Sequence, residues 1–105
     1  KAALTLEAAV HMLTSRPAQV MGITDRGRLE EGLAADLVIF DPATVGTTSP
    51  KRVYDLPGGA DRLIVHELGV DAVIVNGTLV RQNGKDVVKR NKNLPGRLLR
   101  NGKAA

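Results

Sequence analysis

His11 and His66 are the only histidines in this chain, and no cysteine accompanies them. A hydrolytic zinc site takes three or more His, Asp or Glu ligands, with one position left for water. Neither His-x-His nor HExxH occurs. His11 falls on a helical stretch with Glu7 one turn before it, and reads as a surface residue able to pair at i, i+4. Ser15 and Ser49 are candidate nucleophiles, yet neither has a G-x-S-x-G setting or a histidine partner. Glu30 and Glu31 fall in a turn, where solvation outweighs general acid work. Gly58-Gly59 has no strand before it and no helix after it, so the pair reads as a tight turn rather than a phosphate cradle. No P-loop or GxGxxG is present. No catalytic, cofactor-binding or metal-ligating residue is therefore assigned, and the reading is a chain without a complete active site.

The remaining charge is basic and gathered at one end. Lys85, Lys89, Arg90, Lys92, Arg97, Arg100 and Lys103 face the single acid Asp86, within a net charge of +4. Such a tail can neutralise phosphates. No aromatic is interleaved with it, and Leu94-Pro95-Gly96 breaks it with a turn. The expectation is a solvated, partly disordered tail and no nucleic-acid partner. Phe40 and Tyr54 are the only aromatics, which disfavours an aromatic-walled pocket or a base-stacking surface. No apolar run approaches the roughly 18 residues that span a bilayer, so no membrane partner is expected. The chain opens at Lys1 without Met and shows no secretory signal. It is read as a cytoplasmic segment of a longer protein.

The elements that would position these residues change character at one join, Gly27 to Pro42. Before it, Thr5 is a plausible N-cap and Leu6 to Ser15 has helical spacing, with Leu6, Ala9, Val10 and Leu13 in one stripe. Pro17 to Met21 reads as a second helix, ended by Gly22. Within the join, a strand start is expected at Arg28-Leu29, then a turn, then a six-residue strand from Asp36 to Asp41 stopped by Pro42. Its apolar run Leu37 to Phe40 does not alternate, which predicts cover on both faces. Residues 43–59 carry turn and breaker signals. Leu63 to Leu68 stays open between a short strand and a helical turn. Val70 to Val75 and Thr78 to Arg81, joined by Asn76-Gly77, predict a hairpin with a type I′ turn. A second Asn83-Gly84 turn predicts a third run near Val87-Val88, giving an antiparallel meander to which Leu37 to Phe40 can add.

Three stretches taken in order, LTLEAAVHMLTSRPAQVMGI, DRGRLEEGLAADLVIFDP and VDAVIVNGTLVRQNG, resemble the closing sequence of the metal-dependent amidohydrolase superfamily. The loop VYDLPGGA at 53–60 and the tail LPGRLLR at 94–100 are most similar to its N-acyl-D-amino-acid deacylase (D-aminoacylase) branch. The resemblance implies an α+β fragment: two N-terminal helices from the end of a (β/α) barrel, then a small antiparallel β-sandwich portion. Residues 1–24 would be the helical end of the barrel domain, and residues 25–105 the C-terminal part of the sandwich with the basic tail. The family's metal ligands lie on barrel strands upstream, and none of those positions is in this sequence. Zinc is therefore expected in the parent's barrel and not in this segment. There it would lower the pKa of water to about 7 and polarise an amide carbonyl, with a carboxylate moving the proton.

The implied partners are the remainder of the parent chain and, for the parent, a small-molecule substrate. The isolated segment, itself inactive, would either self-associate through uncovered strand edges or be only marginally stable. The same closing motifs serve other branches, such as hydantoinases, dihydroorotases or deaminases. A free-standing β interaction module is the reading from a different class.

Overall fold

At the first helix start the Thr5 hydroxyl oxygen accepts the Ala8 amide hydrogen at 3.2 Å and so satisfies one of the first-turn donors. In the computed structural model, which describes residues 3–89 and 92–105, helix α1 spans Leu6–Leu13 and helix α2 spans Ser15–Val20. Lys1 and Arg90, both named above, lie outside the described residues. Thr14, at φ −124° and ψ −87°, separates the two helices. Helix α2 starts two residues before Pro17, the expected first position. Pro17 remains in the first turn, where a missing N–H costs no intrahelical bond. Gly22 ends α2 as expected: at φ 67° its N–H donates to Gln19 while the Ile23 N–H donates to Ala18. That pair of bonds is the Schellman arrangement, which satisfies carbonyls the helix leaves open.

Strand β1, Leu37–Phe40, is shorter than the expected Asp36 to Asp41: the Asp36 N–H donates to the Ala34 carbonyl, and the Asp41 carbonyl accepts from Thr44 and Val45 in a turn. Asp36 accepts the Asn76 backbone N–H at 2.8 Å, and Asp41 accepts the Ala43 N–H at 2.8 Å, folding the chain away from the strand. The strand start expected at Arg28-Leu29 does not form. No other segment pairs with it among the described residues, and Leu29 is 85% exposed.

Beyond β1 the chain runs through β2 (Gly46–Thr47), β3 (Lys51–Val53), β4 (Arg62–Ile64) and β5 (Glu67–Leu68). Then come β6 (Val70–Val75), β7 (Thr78–Gln82) and β8 (Lys85–Asp86). The region left open at Leu63 to Leu68 is thus two short strands, one on each side of Val65-His66. The largest sheet is antiparallel in the order β1-β6-β7-β8. Asn76 and Gly77 have φ 46° and 76°, as a type I′ turn demands, and this turn sets the β6–β7 register that ends at Val75 opposite Thr78. The third run sits at Lys85–Asp86, nearer its Asn83-Gly84 turn than expected, and Val87 extends it by donating to the Val80 carbonyl. Strands β2 with β5 and β3 with β4 make two further antiparallel pairs.

The basic tail corrects the sequence reading. Instead of a partly disordered tail, strands β9 (Leu99–Arg100) and β10 (Lys103–Ala104) form a hairpin on a third Asn-Gly, Asn101-Gly102 at φ 51° and 81°. The same turn chemistry that marked the other two turns was present here.

The chain buries little. Among the described residues only Ala18 (5% exposed) and Ala72 (8%) are buried apolar residues. The expected cover on both faces of β1 is absent, since Val38 is 56% and Ile39 51% exposed. Strand β1 is also an edge strand, with β6 as its one neighbour among the described residues. The accessible surface is 8551 Å², against about 5,700 Å² for a self-contained globular chain of this mass. The radius of gyration is 16.4 Å, against about 13 Å for a compact domain of this length. The excess of roughly 2,900 Å² is on the scale of a permanent protein interface.

Candidate functional site

The side chains with hydrolytic potential are dispersed. His11 is exposed on α1, and no ion pair with Glu7 forms. His66 lies between β4 and β5, where its backbone N–H donates to the Thr48 hydroxyl at 3.0 Å and its carbonyl accepts the Thr48 N–H. Ser15 opens α2, whereas Ser49 is in the link between β2 and β3. Glu30 pairs with Arg28 at 3.2 Å, and Glu31 is exposed. Gly58 and Gly59 take φ 73° and 71° in a short 3₁₀ turn, with open space where a side chain would stand. Their requirement is the turn conformation itself, not close approach to a ligand. Among the described residues no three His, Asp or Glu side chains are grouped to hold a metal.

What the fold does assemble is an apolar groove of about 1190 Å³ between the helix pair and the sheet edge. Leu6, Val10 and Leu13 of α1 line one wall, Met21 follows α2, and Val38 and Phe40 of β1 form the other wall. The helical spacing that put Leu6, Ala9, Val10 and Leu13 on one stripe is therefore the spacing of a groove wall. Leu13 on that wall is 80% exposed. An amphipathic helix normally turns such a stripe inward. The outer edge of β1 adjoins the groove, and among the described residues no strand pairs with it.

The foot of the groove is polar and tightly joined. Arg26 donates from Nε to Asp25 at 3.1 Å, from Nη1 to Asp36 at 2.8 Å, and from Nη2 to the Asn76 amide oxygen at 3.5 Å. One planar guanidinium thus gathers the helix exit, the entry to β1 and the β6–β7 turn. The Arg26 hydrogen bond and the Ala104 N–H hold the Asp25 carboxyl below the usual carboxylate range. Hydrogen bonding to Asp25 in turn raises the Arg26 guanidinium above its ordinary value.

Elsewhere Arg62 donates from Nε and Nη2 to the two Asp55 oxygens at 2.7 and 2.6 Å and lowers that carboxyl. Arg81, shared between Glu67 and Asp86, lowers Glu67. Nothing in the local sequence around Asp25-Arg26 marks that junction. Its partners lie as far away as Asn76 and Ala104, and only the fold brings them together.

Comparison with known proteins agrees with the resemblance read from the sequence. Residues 1–81 match the amidohydrolase family, and the chain belongs to it. It is 40% identical over 97 residues to an N-acyl-D-glutamate deacylase of Alcaligenes xylosoxydans xylosoxydans, covering 92% of this chain and 17% of that protein. An N-acyl-D-aspartate deacylase of the same organism is 38% identical over 101 residues, 96% of this chain and 18% of that protein. A D-aminoacylase, again from that organism, is 39% identical over 77 residues, 73% of this chain and 14% of that protein. The chain therefore spans less than a fifth of the length of each of these relatives. No solved structure gives a significant match.

Proposed function

We propose that this member of the amidohydrolase family is the non-catalytic C-terminal part of a metal-dependent hydrolase that cleaves the C–N amide bond of N-acyl-D-amino acids. The observation that carries the reading is the 40% identity to an N-acyl-D-glutamate deacylase along 92% of the chain. The large uncovered surface supports a structural role within a bigger protein. In this reading residues 1–24 lie against the barrel, and residues 25–105 complete a β-sandwich whose remaining strands pair along the outer edge of β1. The apolar groove is then a seam with the remainder of the parent chain.

The zinc that this reading implies does not fit the residues present. Zinc prefers three or four imidazole, thiolate or carboxylate ligands on one centre. His11 and His66 stand on separate elements, and no third ligand is grouped with either among the described residues. Catalytic residues, metal ligands and substrate contacts are accordingly assigned to the remainder of the parent, and no chemical step is assigned to this segment.

The test is made on the protein as its source produces it. Mass and metal content come first, followed by release of free amino acid from N-acetyl-D-glutamate, N-acetyl-D-aspartate and N-acetyl-D-leucine beside their L forms. A zinc-containing protein of several hundred residues that acts on the D forms is the expected result. A native protein of about this segment's length, or a zinc-loaded enzyme that opens cyclic ureides and leaves N-acyl-D-amino acids intact, would overturn the reading.

A further inference from the structure

We propose that residues 95–105 act as a strap that ties the exit of the helix pair to the β6–β7 turn and so fixes the angle between the walls of the groove. The strap is held at both ends. At its start, the Asn76 side-chain amide donates to the Pro95 carbonyl at 2.6 Å, which anchors it to the sheet. At its far end, the Gly102 carbonyl accepts the Thr24 N–H at 2.7 Å, and the Ala104 N–H donates to the Asp25 carboxylate at 2.7 Å. Those two bonds anchor it to Thr24 and Asp25, in the five residues that follow α2. Between the anchors the β9–β10 pairing and the bond from the Ala105 N–H to the Leu98 carbonyl make the strap a short rigid hairpin.

The contact at the helix exit admits no side chain. A Cβ on Gly102 would overlap the Gly22 carbonyl oxygen and press on the Gly22 carbonyl carbon, and Gly102 itself sits at φ 81°. Glycine is needed there for close approach as well as for conformation. Arg26 reaches both anchors, bonding Asp25 at one and Asn76 at the other, so strap and guanidinium brace the same angle in parallel. Among the described residues no backbone hydrogen bond joins α1 or α2 directly to a strand, so this junction is where the helix pair is tied to the sheet.

Hydrogen exchange on the full-length protein tests the strap, with peptides covering residues 20–25, 98–105 and 70–82. Gly102→Val should raise exchange about tenfold or more in both 20–25 and 98–105 while 70–82 keeps its protection. Asp25→Ala adds no atoms, and it gives the same paired readout if Gly102→Val does not fold. Faster exchange confined to 98–105 would overturn the proposal, because the tail would then hold nothing. Loss of protection in all three peptides would overturn it as well, because the tail would then be part of one cooperative unit rather than a strap. The readout is independent of hydrolytic activity, so it stands or falls apart from the proposed reaction.

Discussion

Leu13→Ala separates a covered groove from an open one by the size of its effect in two settings. Leu13 is the most exposed of the large side chains on the α1 wall, at 80%. In the 105-residue chain alone the substitution removes little burial, and alanine is the better helix former. The change in stability there should stay within about 0.5 kcal/mol. If the rest of the parent covers the groove, about four-fifths of the leucine surface has still to leave water. Full burial of a leucine contributes about 1.5–3 kcal/mol, so the transfer part of the loss is about 1.2–2.4 kcal/mol. The cavity left behind adds to that, towards the 2–5 kcal/mol seen for leucine truncations in cores. Urea unfolding of the parent and of the isolated chain, each read through its own m value, measures both numbers. A parent that loses less than about 0.5 kcal/mol would refute the reasoning, since Leu13 would then face solvent in the whole protein too.

Two further outcomes follow from the same surfaces. The isolated chain should self-associate through the β1 edge, and the double variant Val38→Lys with Ile39→Lys should return it to monomer, because edge lysines block strand addition. Sedimentation velocity decides this, and a wild-type chain that sediments as a monomer at tens of micromolar contradicts it. The second outcome concerns acid. Asp25, Asp55 and Glu67 are each held below their ordinary values by an arginine partner. A depressed carboxyl contributes stability that is present above its unfolded value and lost as pH falls through the folded one. Thermal midpoints should therefore hold from pH 7 to about 5 and decline below about pH 4. Asp25→Asn should lower the midpoint at pH 7 and shallow the acid decline; an unchanged decline would remove Asp25 from the argument.

Local features were legible in the sequence where a single residue type decides a single backbone state. Thr5 capped its helix, Gly22 ended the second one, and Asn76-Gly77 closed a hairpin with both residues at positive φ. Each of these is settled within about five residues of chain. Where the sequence reading failed, the deciding group was either distant or a local signal passed over. The strand expected at Arg28-Leu29 has the composition of a strand start but no neighbour to pair with among the described residues. The two aspartates that flank β1 look like strand residues until their backbone groups engage Ala34 on one side and Thr44 and Val45 on the other. The tail was read as partly disordered because its charge was counted before its turn; its described basic residues are exposed as expected, but Asn101-Gly102 repeats the signal of the two Asn-Gly turns already recognised. The dispersal of His11, His66, Ser15 and Ser49 is likewise a matter of which elements they occupy. The apolar groove was half-visible: the α1 stripe was plain from its spacing, but its facing wall on β1 depends on tertiary placement.

The gap between apolar content and burial is the more telling comparison. Hydrophobic residues make up 43% of the chain, an ordinary share for a globular domain, yet only two alanines among the described residues form a buried apolar core. A chain that had to fold alone would gain little from an amphipathic helix whose stripe meets no facing layer. Hydrogen bonds and ion pairs cannot replace that layer, since each contributes about 1 kcal/mol or less when exposed. The exposed stripe and the bare β1 edge lie on the same groove, and the Arg26 junction and the Gly102 contact hold its two walls at one angle. A polar junction that fixes orientation, beside apolar walls that remain open, suits a segment that presents a preformed seam to a larger body. The stabilisation would then come from burial across the seam, with the junction setting its geometry.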